Sequence, residues 1–256
     1  MDPLLNHLGP FLMVVMRLGG ALLAAPIVAS AAIPIQVRTL LTFALALAVY
    51  PTLPAPQQSP ITLDLFSLTG AAAGEVAIGF VIGLLALLPI TSVQLSGLLM
   101  GQQLGFGLAS VYNPAVEADT DLLGELLLYV ALGVYITIGG VEAVYLALCH
   151  TFQRIPIGGF GAGNAPLDVL VGVIGSGFEL ALRVSLPLMA IVLMETVATS
   201  FLSKTMPQLN VLSVGFAVKI VLGFVAILAG LHAMQSVIGE HVGEIGRRML
   251  LWSSGG

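Results

Sequence analysis

Long apolar runs separated by short polar breaks set the pattern of this chain. About six runs reach or approach the roughly 20 apolar residues that a helix needs to cross a bilayer: 4–29, 35–53, 67–99, 122–152, 168–202 and 209–238. The breaks carry turn chemistry. Pro34 follows Ser30; Pro51, Pro54, Pro56 and Pro60 surround a Gln/Ser stretch; Asn113-Pro114 is the third break; Pro156 precedes Gly158, Gly159, Gly161 and Gly163; Pro207 is the last. The third and fifth runs would each be about 50 Å long as continuous helix, well beyond a hydrocarbon core of about 30 Å. They must tilt, break or protrude, and Pro89 and Pro187 inside them favour kinks. The pattern predicts an all-α, membrane-class protein of about six long, apolar, Pro-kinked helices arranged as packed helical hairpins.

Composition sharpens this picture. Of the 256 residues 58% are hydrophobic and only 8% charged, with a mean hydropathy of +1.07, too little polar surface to cover a soluble globule. Lipid, partner subunits or both must cover the rest. The net charge of −5 comes from 13 acidic and 8 basic residues scattered along the chain, which is no nucleic-acid footprint. Glycines number 30, with small-residue spacings at Gly70/Gly74, Gly79/Gly83, Gly97/Gly101/Gly105 and Gly139/Gly140 that allow close helix approach. The start, MDPLLNHLGPFLMVVMRLGG, has no basic stretch before the apolar run and carries Arg17 within it, so the first segment is expected to remain in the mature protein. Among basic residues near run ends, Arg247 and Arg248 favour a cytoplasmic C-terminal tail.

Arg17, Glu75, Glu142, Glu179, Arg183, Glu195 and Lys219 fall within otherwise apolar segments. Facing lipid, each would cost at least a few kcal/mol, so they must face protein or water. Glu179 and Arg183, four apart with the acid first, are expected to form a buried ion pair on one helix face. The others could pair across helices, line an aqueous conduit or carry protons. Catalytic signatures are missing: the chain has no HExxH, GxSxG or Walker loop. His7, His150, His232 and His241 are far apart in sequence, and the single Cys149 allows no intrachain disulfide. Ser176, in GSGFE, has no evident histidine partner. No catalytic residue, cofactor or metal is expected.

Two segments stand apart. Residues 97–121, GLLMGQQLGFGLASVYNPAVEADTD, pass from glycine-rich apolar sequence through Asn-Pro to a cluster of acids, and read as an irregular loop fed by a helix. Such a loop is viable at membrane depth only when buried in protein or facing an aqueous cavity. Residues 203–223, SKTMPQLNVLSVGFAVKIVLG, read as a helix ending near Lys204, a turn at Met206-Pro207 and a restart capped by Gln208 or Asn210.

The stretch PQLNVLSVGFAVKIVLG at 207–223 resembles the signature of the FliR family of flagellar export proteins, shared with the SctT subunits of injectisomes. RLGGALLAAPIVASAAIPIQVRTLLTFALA at 17–46, GQQLGFGLASVYNP at 101–114 and TFQRIPIGG at 151–159 are similar to further family elements, in the same order. The chain departs from the pattern at Leu212 and Ala217, and 115–121 is unusually acidic.

The resemblance implies a single FliR-like domain over 1–256, with a FliP-like part at 1–160 and a FliQ-like helical hairpin at 161–256. It implies a structural, pore-forming subunit of the flagellar type III export gate, or of its injectisome counterpart, that completes a helical ring with FliP- and FliQ-type subunits beside an FlhB-type protein. Unfolded export substrates would pass through that ring, at the flagellar basal body in the bacterial inner membrane. By the same resemblance 106–121 is a plug loop, with Phe106, Leu108, Val111, Tyr112 and Pro114 as pore-plug candidates. Lys204, Pro207, Gln208, Asn210 and Gly215 set the hairpin turn. A secondary transporter using Glu75, Glu142 and Glu195 for proton coupling is the alternative from a different class; it would need an inverted repeat, and none is visible in the sequence.

Overall fold

The structure is a computed structural model that describes residues 3–30, 33–54, 65–106, 122–159, 167–206 and 211–254, and within them every regular element is helical. The helices are α1 (Pro3–Ala24), α2 (Ile35–Val49), α3 (Leu65–Leu104), α4 (Leu122–Thr137), α5 (Gly140–Arg154), α6 (Leu167–Thr205) and α7 (Val211–Ser254), with one 3-10 turn at Tyr50–Thr52. Helix is the element that satisfies its own backbone where water is scarce, which is why runs this apolar adopt it. Among the described residues four helices are long and apolar enough to cross a membrane, and up to six spans result if each bent pair counts as one. The all-α, membrane-class reading of the sequence holds.

Two boundaries differ from the sequence reading. The run 122–152 is not one helix: it divides into α4 and α5 with a 62° bend. Gly139 supplies the cause, since it adopts φ 78° at the start of α5, donates its N–H to the Ile136 carbonyl and accepts from the Ala143 N–H. The last run does not end at 238 but continues as α7 to Ser254, bent by 56° between Gly230 and His232. Glu244, paired with Arg247 at 2.8 Å and Arg248 at 2.9 Å on the same helix face, supports that polar extension. α3 and α6 run 40 and 39 residues and stay helical through Pro89 and Pro187.

The chain forms two compact units. The first contains Met1–Leu88, Ile136–Ile174 and Val242–Gly256; the second contains Pro89–Tyr135 and Gly175–His241. In the first, α1 packs on α2 through edge-to-face contacts of Phe11 with Phe43 and Tyr50, and His7 Nδ1 lies 2.8 Å from the Tyr50 hydroxyl. α1 crosses α3 almost backbone to backbone. A Cβ on Gly79 would lie 1.8 Å from the Arg17 carbonyl oxygen, one on Gly83 2.4 Å from that of Ala21, and one on Gly20 2.3 Å from that of Val76. α1 ends in a turn where Ile27 has φ 72°, rare for a β-branched residue. Bonds from the Val28 N–H to the Pro26 carbonyl and from the Ala29 N–H to the Ala25 carbonyl hold that turn.

The second unit uses the same device. A Cβ on Gly97 would meet the Gly124 backbone at 2.5 Å, which sets the α3–α4 crossing, and one on Gly223 would lie 2.3 Å from Leu104 Cδ2. Outward faces stay apolar: Phe178, Leu186, Met194 and Phe201 on α6 and Val221 and Leu228 on α7 are all exposed. Surfaces of that extent are covered by lipid or by other proteins.

Candidate functional site

The clearest local architecture borders the segment singled out at 106–121. α3 ends in a Schellman motif: Gly105 has φ 88° and donates its N–H to the Gln102 carbonyl, while the Phe106 N–H reaches back to the Gly101 carbonyl. The Phe106 ring then sits 3.8 Å from where a Gly101 Cβ would be and tilts against Phe224 at 6.4 Å between centroids. Leu104, fully buried, fills the notch at Gly223. Glycine is needed at 105 for its left-handed backbone and at 223 for space, so the helix feeding the irregular segment has a fixed end. Of the pore-plug candidates, Phe106 is placed here; Leu108, Val111, Tyr112 and Pro114 lie outside the described residues.

The hairpin-turn candidates divide similarly. Lys204 is exposed in the last turn of α6, where a cation complements the helix C-terminus. Gly215 is buried, with its Cβ position 3.6 Å from Glu195 Oε1 and 3.3 Å from Thr199 Cγ2. Pro207, Gln208 and Asn210 lie outside the described residues.

The charges at membrane depth find three different environments. Arg17 and Glu75 form a fully buried pair: Nε donates to Oε2 at 2.5 Å and Nη2 to Oε1 at 3.1 Å. Arg17 also donates to the Ile155 carbonyl at 3.1 Å and to the Thr151 hydroxyl at 3.4 Å, and its guanidinium lies 4.2 Å from the Phe152 ring centre. Glu75 Oε1 accepts a further bond, 2.8 Å, from the N–H of Gly158, whose φ is 77°. One pair thus ties α1, α3, the end of α5 and the turn after it. Nearby, Arg154 stacks over Trp252 at 5.4 Å and donates to its carbonyl.

Glu195 and Lys219 lie 3.9 Å apart, the carboxylate buried and the ammonium partly exposed. Glu142 is exposed in the first turn of α5, a position that favours an acid. The Glu179–Arg183 pair forms at 2.7 Å, but it is not buried: its side chains are 66% and 63% exposed. The pair lies on the outward stripe of α6, beside exposed Phe178, Leu182 and Leu186, so the apolar residues around it in sequence do not cover it. Where water reaches the pair, Glu179→Ala should change stability by less than about 0.5 kcal/mol. Thermal melting of the detergent-solubilised variant checks this, and a loss above about 2 kcal/mol would show that the pair is shielded.

Residues 8–245 match the family described as bacterial export proteins, family 1. The chain belongs to that family. Among its relatives, the flagellar biosynthetic protein FliR of Aquifex aeolicus is 25% identical over 226 residues, covering 88% of this chain and 86% of the relative. The FliR of Escherichia coli is 24% identical over 238 residues, covering 93% and 90%. The secretion system apparatus protein SsaT of Salmonella typhimurium is 27% identical over 183 residues, covering 70% and 71%. The FliR resemblance read from four motifs is borne out over nearly the whole length.

In this bacterial export protein, two site features escaped the reading of the sequence. Arg17 and Glu75 were recognisable as charges in need of partners, but 58 positions separate them and nothing local couples them. The Leu104–Gly223 notch carried a weaker signal, a lone glycine in the last apolar run. Among the described residues no group of three or more His, Cys, Asp or Glu side chains is placed to hold a metal ion.

Proposed function

We propose that this chain is the FliR-type structural subunit of a flagellar type III protein export gate in the bacterial inner membrane at the flagellar basal body. It would complete a helical ring with FliP- and FliQ-type subunits next to an FlhB-type protein. The observation that carries this reading is the family match over 8–245, together with FliR relatives aligned across about nine-tenths of both chains. The broad outward apolar faces support it, because a ring subunit must present such faces to its neighbours. In this reading 1–160 is the FliP-like part, 161–256 is the FliQ-like hairpin, and the turn from Lys204 to Gly215 positions its two helices.

The segment 106–121 is the plug, with Phe106, Leu108, Val111, Tyr112 and Pro114 closing the pore. Apolar plug groups suit the task, since a dewetted constriction stops ions yet makes no strong bond to a passing unfolded chain. The fixed end of α3 at Gly105 and Phe106 gives such a loop a defined starting point. The injectisome reading is kept because SsaT and the Yersinia pestis Yop proteins translocation protein T are also relatives, though aligned over less of this chain.

Co-purification of the tagged chain with FliP- and FliQ-type proteins in mild detergent tests the assembly. Recovery as a stable monomer or homodimer alone would move the transporter reading to first place. Deleting 107–119 should leave assembly intact and raise ion conductance of the reconstituted complex by tenfold or more. Unchanged conductance in an assembled deletion variant would remove the plug from the account.

A further inference from the structure

In the first unit α1 and α2 leave between them, beside Val76 of α3, an open groove of about 280 Å³. Its apolar lining faces outward: Met16, Leu23, Ile35 and Phe43 border it and are all exposed. The two helices are antiparallel, with Phe11 against Tyr50 and the Gly19 Cβ position 3.5 Å from Thr42 Cγ2. The groove therefore runs from Leu23 and Ile35 at the hairpin end to Val15 and Phe43, about 12 Å along each helix. Both helices qualify as membrane spans by length and hydropathy, so it leads from the end of a span toward its middle.

The polar side chains of the groove are of two kinds. The Thr39 and Thr42 hydroxyls donate to the Ile35 and Arg38 carbonyls of their own helix, at 2.9 and 2.8 Å, and have no proton left to give. Arg38, half-buried in the first turn of α2, has donors to spare. Its Nε donates to the Ile33 carbonyl at 3.1 Å and its Nη2 to the Ser30 carbonyl at 2.5 Å. Three of its five N–H groups are left without an acceptor among the described residues, and none of the described carboxylates lies within 4 Å of it. Two neutral carbonyls hold the guanidinium at the hairpin end without neutralising it. A cation one turn into a span lies at head-group depth.

Size and chemistry select the occupant. A helix about 10 Å across would fill roughly 900 Å³ over that length, about three times what the groove holds. An extended peptide would bring N–H and C=O groups into a groove whose only spare donors are those of Arg38. A hydrocarbon chain needs no partner there. We infer that the groove binds one acyl chain of an anionic phospholipid, whose phosphate takes the unused N–H groups of Arg38. Guanidinium and phosphate suit each other as a bidentate pair, and basic pockets between membrane helices hold lipid head groups by this chemistry. A zwitterionic head group carries its own cation, which competes with Arg38 for the phosphate; an anionic one does not. The inference is independent of the export-gate reading.

The test places the full chain in phosphatidylcholine nanodiscs with a trace of phosphatidylglycerol bearing a photoactivatable acyl chain, or of the same probe made from phosphatidylcholine. Labelled sites are read by peptide mass spectrometry. The phosphatidylglycerol probe should label Met16, Leu23 and Phe43 at least fivefold more than the phosphatidylcholine probe, and Arg38→Gln should bring the two to the same level. Gly19→Leu should reduce labelling by both probes several-fold, because it fills the groove from a position where a Cβ makes only ordinary contact. If Arg38→Gln does not fold, the ratio in the unmodified chain and the Gly19→Leu result decide. Equal labelling by the two probes, or labelling unchanged in either variant, overturns the site. Repeated on the chain co-purified with FliP- and FliQ-type proteins, the labelling should persist; its loss there overturns the lipid in favour of a protein subunit covering the groove.

Discussion

Arg17→Ala is expected to cost about 3–5 kcal/mol, because it strands the Glu75 carboxylate in a fully buried position with, among the described residues, only the Gly158 N–H as donor. The loss does not stop at one charge. The Ile155 carbonyl and the Thr151 hydroxyl lose their bonds from the guanidinium as well, and Phe152 loses the cation over its ring. For a chain of this size, 1 kcal/mol moves a melting midpoint by roughly 2–4 °C, so a fall on the order of 10 °C should appear in detergent. A shift below about 3 °C would mean that water reaches the pair.

The double variant Arg17→Met with Glu75→Leu separates two roles. Replacing both partners of a buried pair by apolar groups of similar volume is often neutral, whereas removing one is not. If neutralisation is the main role, the double variant should recover more than half of the loss seen in Arg17→Ala. If it melts no higher than the single variant, the pair matters chiefly by pinning the turn at 155–158, whose Gly158 N–H and Ile155 carbonyl both bond to it.

How far the sequence disclosed these features depends on the range of the interaction behind each. Helix existence followed from apolar run length, and the run 67–99 needed only modest extension to become α3, because one residue's surroundings are predicted by its neighbours. The end of α3 was less plain: Gly105, grouped with Gly97 and Gly101 as a packing spacing, is instead the left-handed residue that caps the helix. The break at Gly139 was hidden because Gly-Gly inside an apolar run serves either packing or turning, and only its positive φ distinguishes them. The Glu179–Arg183 pair was correct in geometry and wrong in burial: spacing sets who can touch, while the remaining packing decides what is covered. Arg17–Glu75 is the long-range extreme, invisible until two helices cross.

Glycines give the sharpest graded test, because helix glycines alike in sequence sit in three physical situations. Gly79→Ala should be severe. Its Cβ would lie 1.8 Å from the Arg17 carbonyl oxygen and 2.7 Å from the Ala21 nitrogen, both backbone atoms of α1 that no rotamer change can move. The helices would have to separate, opening the layer in which Arg17 and Glu75 are sealed, so the variant should lose its folded, monodisperse form or melt at least 10 °C lower. Gly177→Ala should be milder, since the nearest obstacle is the Ser92 hydroxyl, a side-chain atom rather than backbone. Gly70→Ala, with nothing within 4 Å, should be neutral or stabilise by up to about 1 kcal/mol through helix propensity. Elution profiles and melting midpoints of the three variants check this order. A Gly79→Ala chain as stable as Gly177→Ala would show that α1 and α3 do not meet backbone to backbone, and the sealed environment of the Arg17–Glu75 pair would fall with that contact.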